Sequence, residues 1–118
     1  MSNHLKIGCK GEELAASWLK KKGFSIIHRN WRYRHLEIDI IANYEYTLHF
    51  IEVKTRSTNS YGGPELGVNW KKMLRLKRAA DRYLQVNPGH AWIQFDIVAI
   101  TLCVGKPPFL EFFTDVYG

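Results

Sequence analysis

The first segment of the chain has apolar residues at helical spacing. From about Ile7 to Lys22 they are Leu14, Ala15, Ala16, Trp18 and Leu19, which share one arc at about 100° per residue. Glu12 projects at the margin of this arc, away from the solvent-facing side. Gly23 follows as a natural end of the helix, since glycine readily adopts the left-handed conformation found there. The pattern predicts an amphipathic helix.

The rest of the chain has short apolar runs and one long amphipathic segment. Two apolar runs, Leu36–Ala42 and Thr47–Thr55, are separated by four residues, which favours an antiparallel hairpin. A second helix is predicted from about Asn69 to Val86. The other predicted elements are a strand at Phe24–Trp31, a polar loop at Ser57–Gly67, a strand at Trp92–Val104 and an edge strand at Phe109–Phe113. The order α-β-β-β-α-β-β predicts a single α/β domain over residues 1–118, with a mixed central β-sheet flanked by helices.

Composition and charge narrow the functional classes. The 118 residues are 46% hydrophobic and 24% charged, which excludes a disordered or collagen-like chain. Cys9 and Cys103 have no zinc-ligand spacing and fit a reducing compartment. The start lacks an apolar signal segment, and no apolar run approaches ~18 residues, so we expect a cytoplasmic protein without membrane contact. A formal charge of +6 favours a polyanionic partner such as nucleic acid.

The predicted hairpin carries charged residues in otherwise apolar strands. Alternation places Asp39 on one face of the first strand, and Glu52 and Lys54 on one face of the second. A two-residue turn at Glu45-Tyr46 puts Asp39 opposite Glu52, whereas a turn at Tyr44-Glu45 makes them diagonal neighbours. In both registers the two carboxylates and the lysine share a face.

Two adjacent carboxylates repel each other unless a cation lies between them. Oxygen ligands suit Mg²⁺ or Mn²⁺ rather than zinc, and a nearby lysine can orient water or stabilise charge on a phosphate. The set of Asp39, Glu52 and Lys54 is therefore the set that metal-assisted phosphodiester hydrolysis requires. The alternative is a solvated outer sheet face, on which these charges have no chemical role.

The second helix has a basic stripe that contains no acidic residue. Its members lie at i, i+4, i+7 and i+11, and they are Lys71, Arg75, Arg78 and Arg82. Such a stripe can follow a phosphate backbone, although a merely solvated face is the alternative. Lys72 lies towards the core side, where it either extends to solvent or reaches the acidic residues. Arg56 adds positive charge near the hairpin.

Other polar residues are predicted to be structural. His49 lies on the strand face opposite Glu52, and Glu37 is expected at the rim of the acidic site. Asp96 stands in an apolar strand, where a buried carboxylate needs a partner. We expect that partner to be a basic residue, Lys72 or Arg56.

The motifs resemble those of the YraN-like bacterial family. The matching segments span residues from about 8 to 100, and they are Gly8–Ala15, Asn30–Arg32, Glu37–Ala42, Phe50–Arg56 and Phe95-Asp96. Leu36 and Gln94 stand where that family usually has glycine and arginine. The family is assigned to the restriction-endonuclease-like superfamily, also called PD-(D/E)xK nucleases, with archaeal Holliday-junction resolvases among its relatives.

The resemblance implies roles for individual residues. Asp39 and Glu52 would bind the divalent metal with help from the backbone carbonyl of Val53. Lys54 would assist the attacking water, and Glu12 would supply a third carboxylate. It also implies a restriction-endonuclease-like core for the domain.

The function expected from the sequence is that of a metal-dependent endonuclease or nuclease-like protein. It would hydrolyse phosphodiester bonds in DNA, with branched and single-stranded DNA as candidate substrates, and Mg²⁺ or Mn²⁺ as cofactor. One alternative is a non-catalytic nucleic-acid-binding module that retains the fold. A weaker alternative is an interaction subunit that uses the apolar segment Phe109–Phe113, and a homodimer is a candidate assembly.

Overall fold

A computed structural model describes residues 3–57 and 70–117, with side chains from Lys10 to Arg56 and from Trp70 to Tyr117. The elements are α1 (Asn3–Lys21), β1 (Ser25–Tyr33), β2 (Leu36–Tyr44), β3 (Thr47–Ser57), α2 (Trp70–Val86), β4 (Ile93–Leu102) and β5 (Phe109–Phe113). The predicted α/β order is confirmed. The predicted loop at 57–67 lies, after its first residue, outside the described residues. Neither α1 nor α2, the helices of the described ranges, is long and apolar enough to cross a membrane.

The five strands form one mixed sheet in the order β1-β2-β3-β4-β5. Strands β1, β2 and β3 are antiparallel neighbours, and β5 is antiparallel to β4. The connection through α2 returns the chain beside β3, so that β3 and β4 are parallel. Glu45 and Tyr46 form the hairpin turn with φ values of 47° and 67°, as a type I′ turn requires. The observed register is therefore the one set by a two-residue turn at Glu45-Tyr46.

Hydrophobic residues fill both faces of the sheet. On one face α1 packs against β2, β3 and β4 through a cluster that includes Leu19, Ile40, Ile51 and Val98. On the other face α2 packs through Leu76, Ala79, Ala80 and Tyr83, against Ile41, Leu48 and Phe50. Ile38 and Ile41 both pack in the α2 cluster, although strict alternation would place residues three positions apart on opposite faces. The alternation predicted along β2 therefore does not hold there. The β2–β3 ladder ends at the pair Ile40–Ile51, which is where this departure begins.

Two glycines fit the close packing of α1. Gly23 has φ 102° at the end of the helix, which confirms its predicted capping role. Gly11 is buried where α1 crosses β3, and a Cβ at this position would lie 1.9 Å from Thr55 Oγ1. Because threonine is stiff at χ1, only glycine permits this approach. The contact places Glu12, the next residue of α1, beside the sheet.

Candidate metal centre

The acidic site is built where β2 and β3 separate. Asp39 lies just beyond the last pair of the β2–β3 ladder, Ile40–Ile51. Its Oδ2 accepts a hydrogen bond of 2.8 Å from the Val53 backbone N–H. This bond fixes the Asp39 carboxylate next to the segment that carries Glu52. In a strand the N–H and C=O of one residue point to the same side, so the Val53 carbonyl also faces β2.

Three carboxylates converge at this point. Glu12 from α1 and Glu37 and Asp39 from β2 each place one oxygen within 4.8 Å of the others. Glu12 and Asp39 are half-buried, whereas Glu37 is exposed. The approach of Glu12 agrees with the role that the family resemblance implies. Glu37, predicted as a rim residue, belongs to the cluster itself; its position two residues before Asp39 was the available signal.

Glu37 also contacts a base from the neighbouring strand. Arg32 Nη2 lies 3.6 Å from Glu37 Oε1, and their side chains are 69% and 41% exposed. Such an exposed pair contributes little free energy because water screens it. The Arg32 contact therefore offsets little of the negative charge of the cluster.

Among the carboxylates of the cluster, Asp39 has a pKa that is clearly shifted by its surroundings. The pKa of Asp39 is raised from 3.8 to about 7. Burial is the largest cause of this rise, and the negative charges of Glu12, Glu37 and Glu52 add to it. The Val53 N–H bond opposes this rise because it stabilises the ionised carboxylate. Asp39 thus exchanges its proton near neutral pH, and a bound cation would favour the ionised form.

A cleft of about 220 Å³ opens beside the carboxylates. The acidic part of its lining comes from Glu37, Asp39 and Glu52, and the wall formed by α2 contributes basic residues. The remaining lining residues are His35, Lys72, Arg75 and Leu76. Acidic and basic side chains thus face each other across one opening, an arrangement that can hold a phosphate group beside a cation.

Lys72 reaches the acidic side of this cleft. Its Nζ lies 4.0 Å from Glu52 Oε1, while 54% of the Lys72 side chain stays exposed. Of the two positions predicted for Lys72, extended to solvent or close to the acidic residues, the structure shows the second. Lys54 follows Glu52 by two residues and is half-buried. Among the described residues it lies outside the cleft lining, although alternation keeps it on the Glu52 face of β3. Arg56, also half-buried, continues that face.

The basic stripe of α2 begins beside the cleft. Lys71, Arg75 and Arg78 are exposed, and Arg75 lines the cleft. Arg82 differs from the other members because its guanidinium lies 4.4 Å from the centre of the Tyr33 ring. Arg82 Nη1 also donates to Gln85 Oε1 at 3.3 Å. The exposed part of the stripe is therefore the part nearest to the acidic cluster.

The predicted partner of Asp96 is wrong. Asp96 is fully buried and accepts hydrogen bonds from His49 Nδ1, from Gln94 Nε2 at 2.8 Å and from the Asp115 N–H at 2.9 Å. The parallel register pairs Asp96 with Ile51 on the α1 face, whereas Lys72 belongs to α2 on the other face. The structural role predicted for His49 is confirmed.

Comparison with known proteins supports the resemblance. A family model described as the uncharacterised protein family UPF0102 matches residues 11–100, which include Glu12, Asp39, Glu52 and Lys54. The chain belongs to the UPF0102 family. A UPF0102 protein of Rhodococcus jostii is 39% identical, with 99% of this chain and 100% of the relative covered. A UPF0102 protein of Phocaeicola vulgatus is 44% identical, over 92% of this chain and 88% of the relative. One of Alkaliphilus oremlandii is 43% identical, over 86% and 89%.

Proposed function

We propose that this UPF0102 protein is a metal-dependent nuclease that hydrolyses phosphodiester bonds in DNA. The observation that carries the proposal is the convergence of Glu12, Glu37 and Asp39 within 4.8 Å. Glu52 lines the same cleft, and Arg75 lines it from α2. Carboxylates for a cation and bases for a phosphate are the two parts that such a reaction needs.

The donor set fits Mg²⁺ or Mn²⁺. These ions prefer carboxylate and carbonyl oxygens, which Glu12, Asp39, Glu52 and the Val53 carbonyl can offer. The raised pKa of Asp39 supports this fit, because burial and neighbouring carboxylates make its ionised form unfavourable without a cation. When bound, the metal would supply Lewis-acid stabilisation of the phosphate.

The protein's own residues would bind and orient the substrate. Lys72 and Arg75 face the cleft and can hold non-bridging oxygens of the scissile phosphate. Asp39 keeps its orientation through the Val53 N–H bond. Lys54 would orient the attacking water, since it follows Glu52 on the same face of β3. The exposed residues Lys71 and Arg78 would extend the contact along the DNA backbone.

Cleavage of end-labelled DNA tests this proposal. We expect Mn²⁺-dependent cleavage of at least one substrate among single-stranded, duplex and four-way DNA. Asp39→Ala and Glu52→Ala should lower the rate at least ~100-fold, because each removes a carboxylate from the proposed ligand set. Lys54→Met should slow cleavage while metal binding persists.

The matched control is Asp81→Ala, which removes an exposed carboxylate from α2. This variant should cleave at the wild-type rate. Equal cleavage by wild type and by purified Asp39→Ala would contradict the proposal, because the activity would then not depend on the carboxylate cluster.

A second candidate function is nucleic-acid binding without cleavage. The exposure of Lys71, Arg75 and Arg78 along α2 favours it. It predicts salt-dependent DNA binding that is indifferent to Mn²⁺ and to Asp39→Ala. Binding of this kind without cleavage of any of the three substrates would select this candidate over the nuclease.

A further inference from the structure

A second pocket, of about 470 Å³, lies on the α1 face of the sheet. It is bounded by the end of α1, the β2–β3 turn and the end of β5. Four aromatic side chains line it, and they are Trp18, Phe24, Tyr44 and Phe112. His49 also lines it, on the face of β3 opposite Glu52. The pocket is therefore distinct from the acidic cleft.

Polar atoms of a buried network face this pocket. His49 is 5% exposed and uses Nδ1 for its bond to Asp96. The two nitrogens of an imidazole point in different directions, so Nε2 is directed away from Asp96. Among the described residues, no hydrogen bond uses Nε2. Gln94 also lines the pocket, and its Nε2 donates a hydrogen bond to Asp96 Oδ1. The Gln94 Oε1 atom can therefore accept a hydrogen bond from a ligand. Both atoms, His49 Nε2 and Gln94 Oε1, can form a hydrogen bond with a ligand in the pocket.

The aromatic walls hold one another in place. Phe24 and Tyr44 stack with their centroids 4.6 Å apart and their planes at 22°. Trp18 meets Phe112 at 5.5 Å and 63°. Because the rings are fixed by mutual contact, the pocket needs little reorganisation to accept a planar ligand. Stacking on aromatic rings together with hydrogen bonds to a ring edge is how proteins recognise an unpaired base.

A cation stands at the rim of the pocket. Lys22 lines the pocket, with Nζ 5.4 Å from the centre of the Trp18 ring. Glu45 also lines the rim, so an anionic group is favoured on the Lys22 side and disfavoured beside Glu45. The charge pattern fits a ligand that has one planar ring and one adjacent phosphate.

We infer that this pocket binds a nucleotide, with the base against the part-buried aromatic side chains of the lining, Trp18, Tyr44 and Phe112, and the phosphate near Lys22. The base would bond through its edge to His49 Nε2 and Gln94 Oε1. The nucleotide is either free or part of a single DNA strand. The inference goes beyond the proposed nuclease function, because it uses neither the carboxylate cluster nor a metal.

Titration of the ¹⁵N-labelled protein with deoxyadenosine monophosphate in EDTA tests this inference. We expect shifts of the Trp18 indole and of amides around His49 and Gln94, with a dissociation constant in the millimolar range, as a small ligand implies. Shifts confined to the acidic cleft, or no shifts up to about 50 mM ligand, would overturn it. A four-nucleotide single strand is the second probe. Tighter binding than the monophosphate assigns the pocket to a strand, and equal or weaker binding assigns it to free nucleotides.

Two substitutions at exposed positions locate the ligand. Thr114→Trp should fill the pocket from its rim and abolish the shifts. Lys22→Ala should weaken binding of the monophosphate roughly two- to fivefold and leave the unphosphorylated nucleoside unchanged. Lys20→Ala, an exposed lysine of the same helix outside the pocket lining, is the matched control and should bind as wild type does.

Wild-type affinity in folded Thr114→Trp, or equal effects of the Lys22 and Lys20 variants, would contradict the assignment. These variants leave the carboxylate cluster intact, so Mn²⁺-dependent cleavage of whichever of the three DNA substrates the wild type cleaves reports separately on the proposed nuclease. Loss of one activity with retention of the other identifies which of the two assignments has failed.

Discussion

Replacing Asp39 by asparagine should stabilise the metal-free protein at alkaline pH. The pKa of Asp39 rises from 3.8 to about 7 on folding, chiefly because the carboxyl group is buried. At about 1.36 kcal/mol per tenfold change in proton affinity, this rise corresponds to about 4 kcal/mol of cost to the folded state when the carboxylate is ionised. Asparagine has nearly the same shape, and its oxygen can still accept the Val53 N–H bond.

The expected gain is smaller than this upper limit. The neutral amide accepts a weaker hydrogen bond than a carboxylate does, by about 1 kcal/mol, and solvent relaxation reduces the burial cost. We therefore expect Asp39→Asn to raise the free energy of unfolding by about 1 to 3 kcal/mol at about pH 8. A stabilising effect from removal of a charge would identify the position as one that retains its carboxylate for function.

The pH dependence has a definite sign. The unfolded chain loses this proton near pH 3.8, but the folded chain keeps it until about pH 7. The folded state therefore binds more protons in between, so its stability falls as pH rises from about 4 to 7, and the full cost is present above about pH 8. The advantage of Asp39→Asn should accordingly shrink by more than half at about pH 5.

Urea unfolding in EDTA, followed by circular dichroism at both pH values, measures this advantage. Asp81→Asn, at an exposed position of α2, is the control and should change stability by less than about 0.5 kcal/mol. If Asp39→Asn were less stable than wild type at pH 8, or if its effect were independent of pH, the electrostatic description of the cluster would be refuted.

Three further changes test other parts of the structure. Asp96→Ala removes the buried acceptor of three hydrogen bonds, so urea unfolding should show a loss of about 3 to 5 kcal/mol, and a loss below 1 kcal/mol would contradict the network. Gly11→Ala should cost about 1 to 3 kcal/mol because its methyl group meets Thr55, and adding Thr55→Ala should recover part of that loss if the contact is the cause. Reversing the charges of Arg75 and Arg78 should weaken DNA binding and lower its salt-dependence slope by about two, whereas an unchanged slope would exclude these residues from the interface.

The hairpin and the alternation along β3 could be predicted because their signals are local, whereas the departure from alternation in β2 was not. Alternation along β3 separates Glu52 from Ile51, and the structure confirms it, since Phe50 and Ile51 pack in different clusters. The two-residue turn at Glu45-Tyr46, one of the two turns considered, then sets a register whose ladder ends at the pair Ile40–Ile51, next to Asp39 and Glu52. A two-residue side-chain period and a short turn leave few arrangements of such a hairpin.

Contacts between distant elements could not be predicted in the same way. The partner of Asp96 depends on the parallel register of β3 and β4, which the long connection through α2 leaves open in the sequence. Membership of Glu37 in the cluster depends on how closely α1 approaches the sheet, and Gly11 permits the close approach to Thr55 of β3. The position of Glu12 at the edge of an apolar arc indicated a site near the sheet, whereas its distance from Asp39 required the folded chain.

Calorimetric titration with Mn²⁺ at about pH 8, where Asp39 is ionised, measures whether the carboxylate cluster binds a divalent metal. We expect saturable binding to the wild-type protein, loss of that binding in Asp39→Ala, and retention in Asp81→Ala. Absence of binding to the wild type, or equal binding to wild type and Asp39→Ala, would contradict the assignment of the carboxylate cluster as a metal centre.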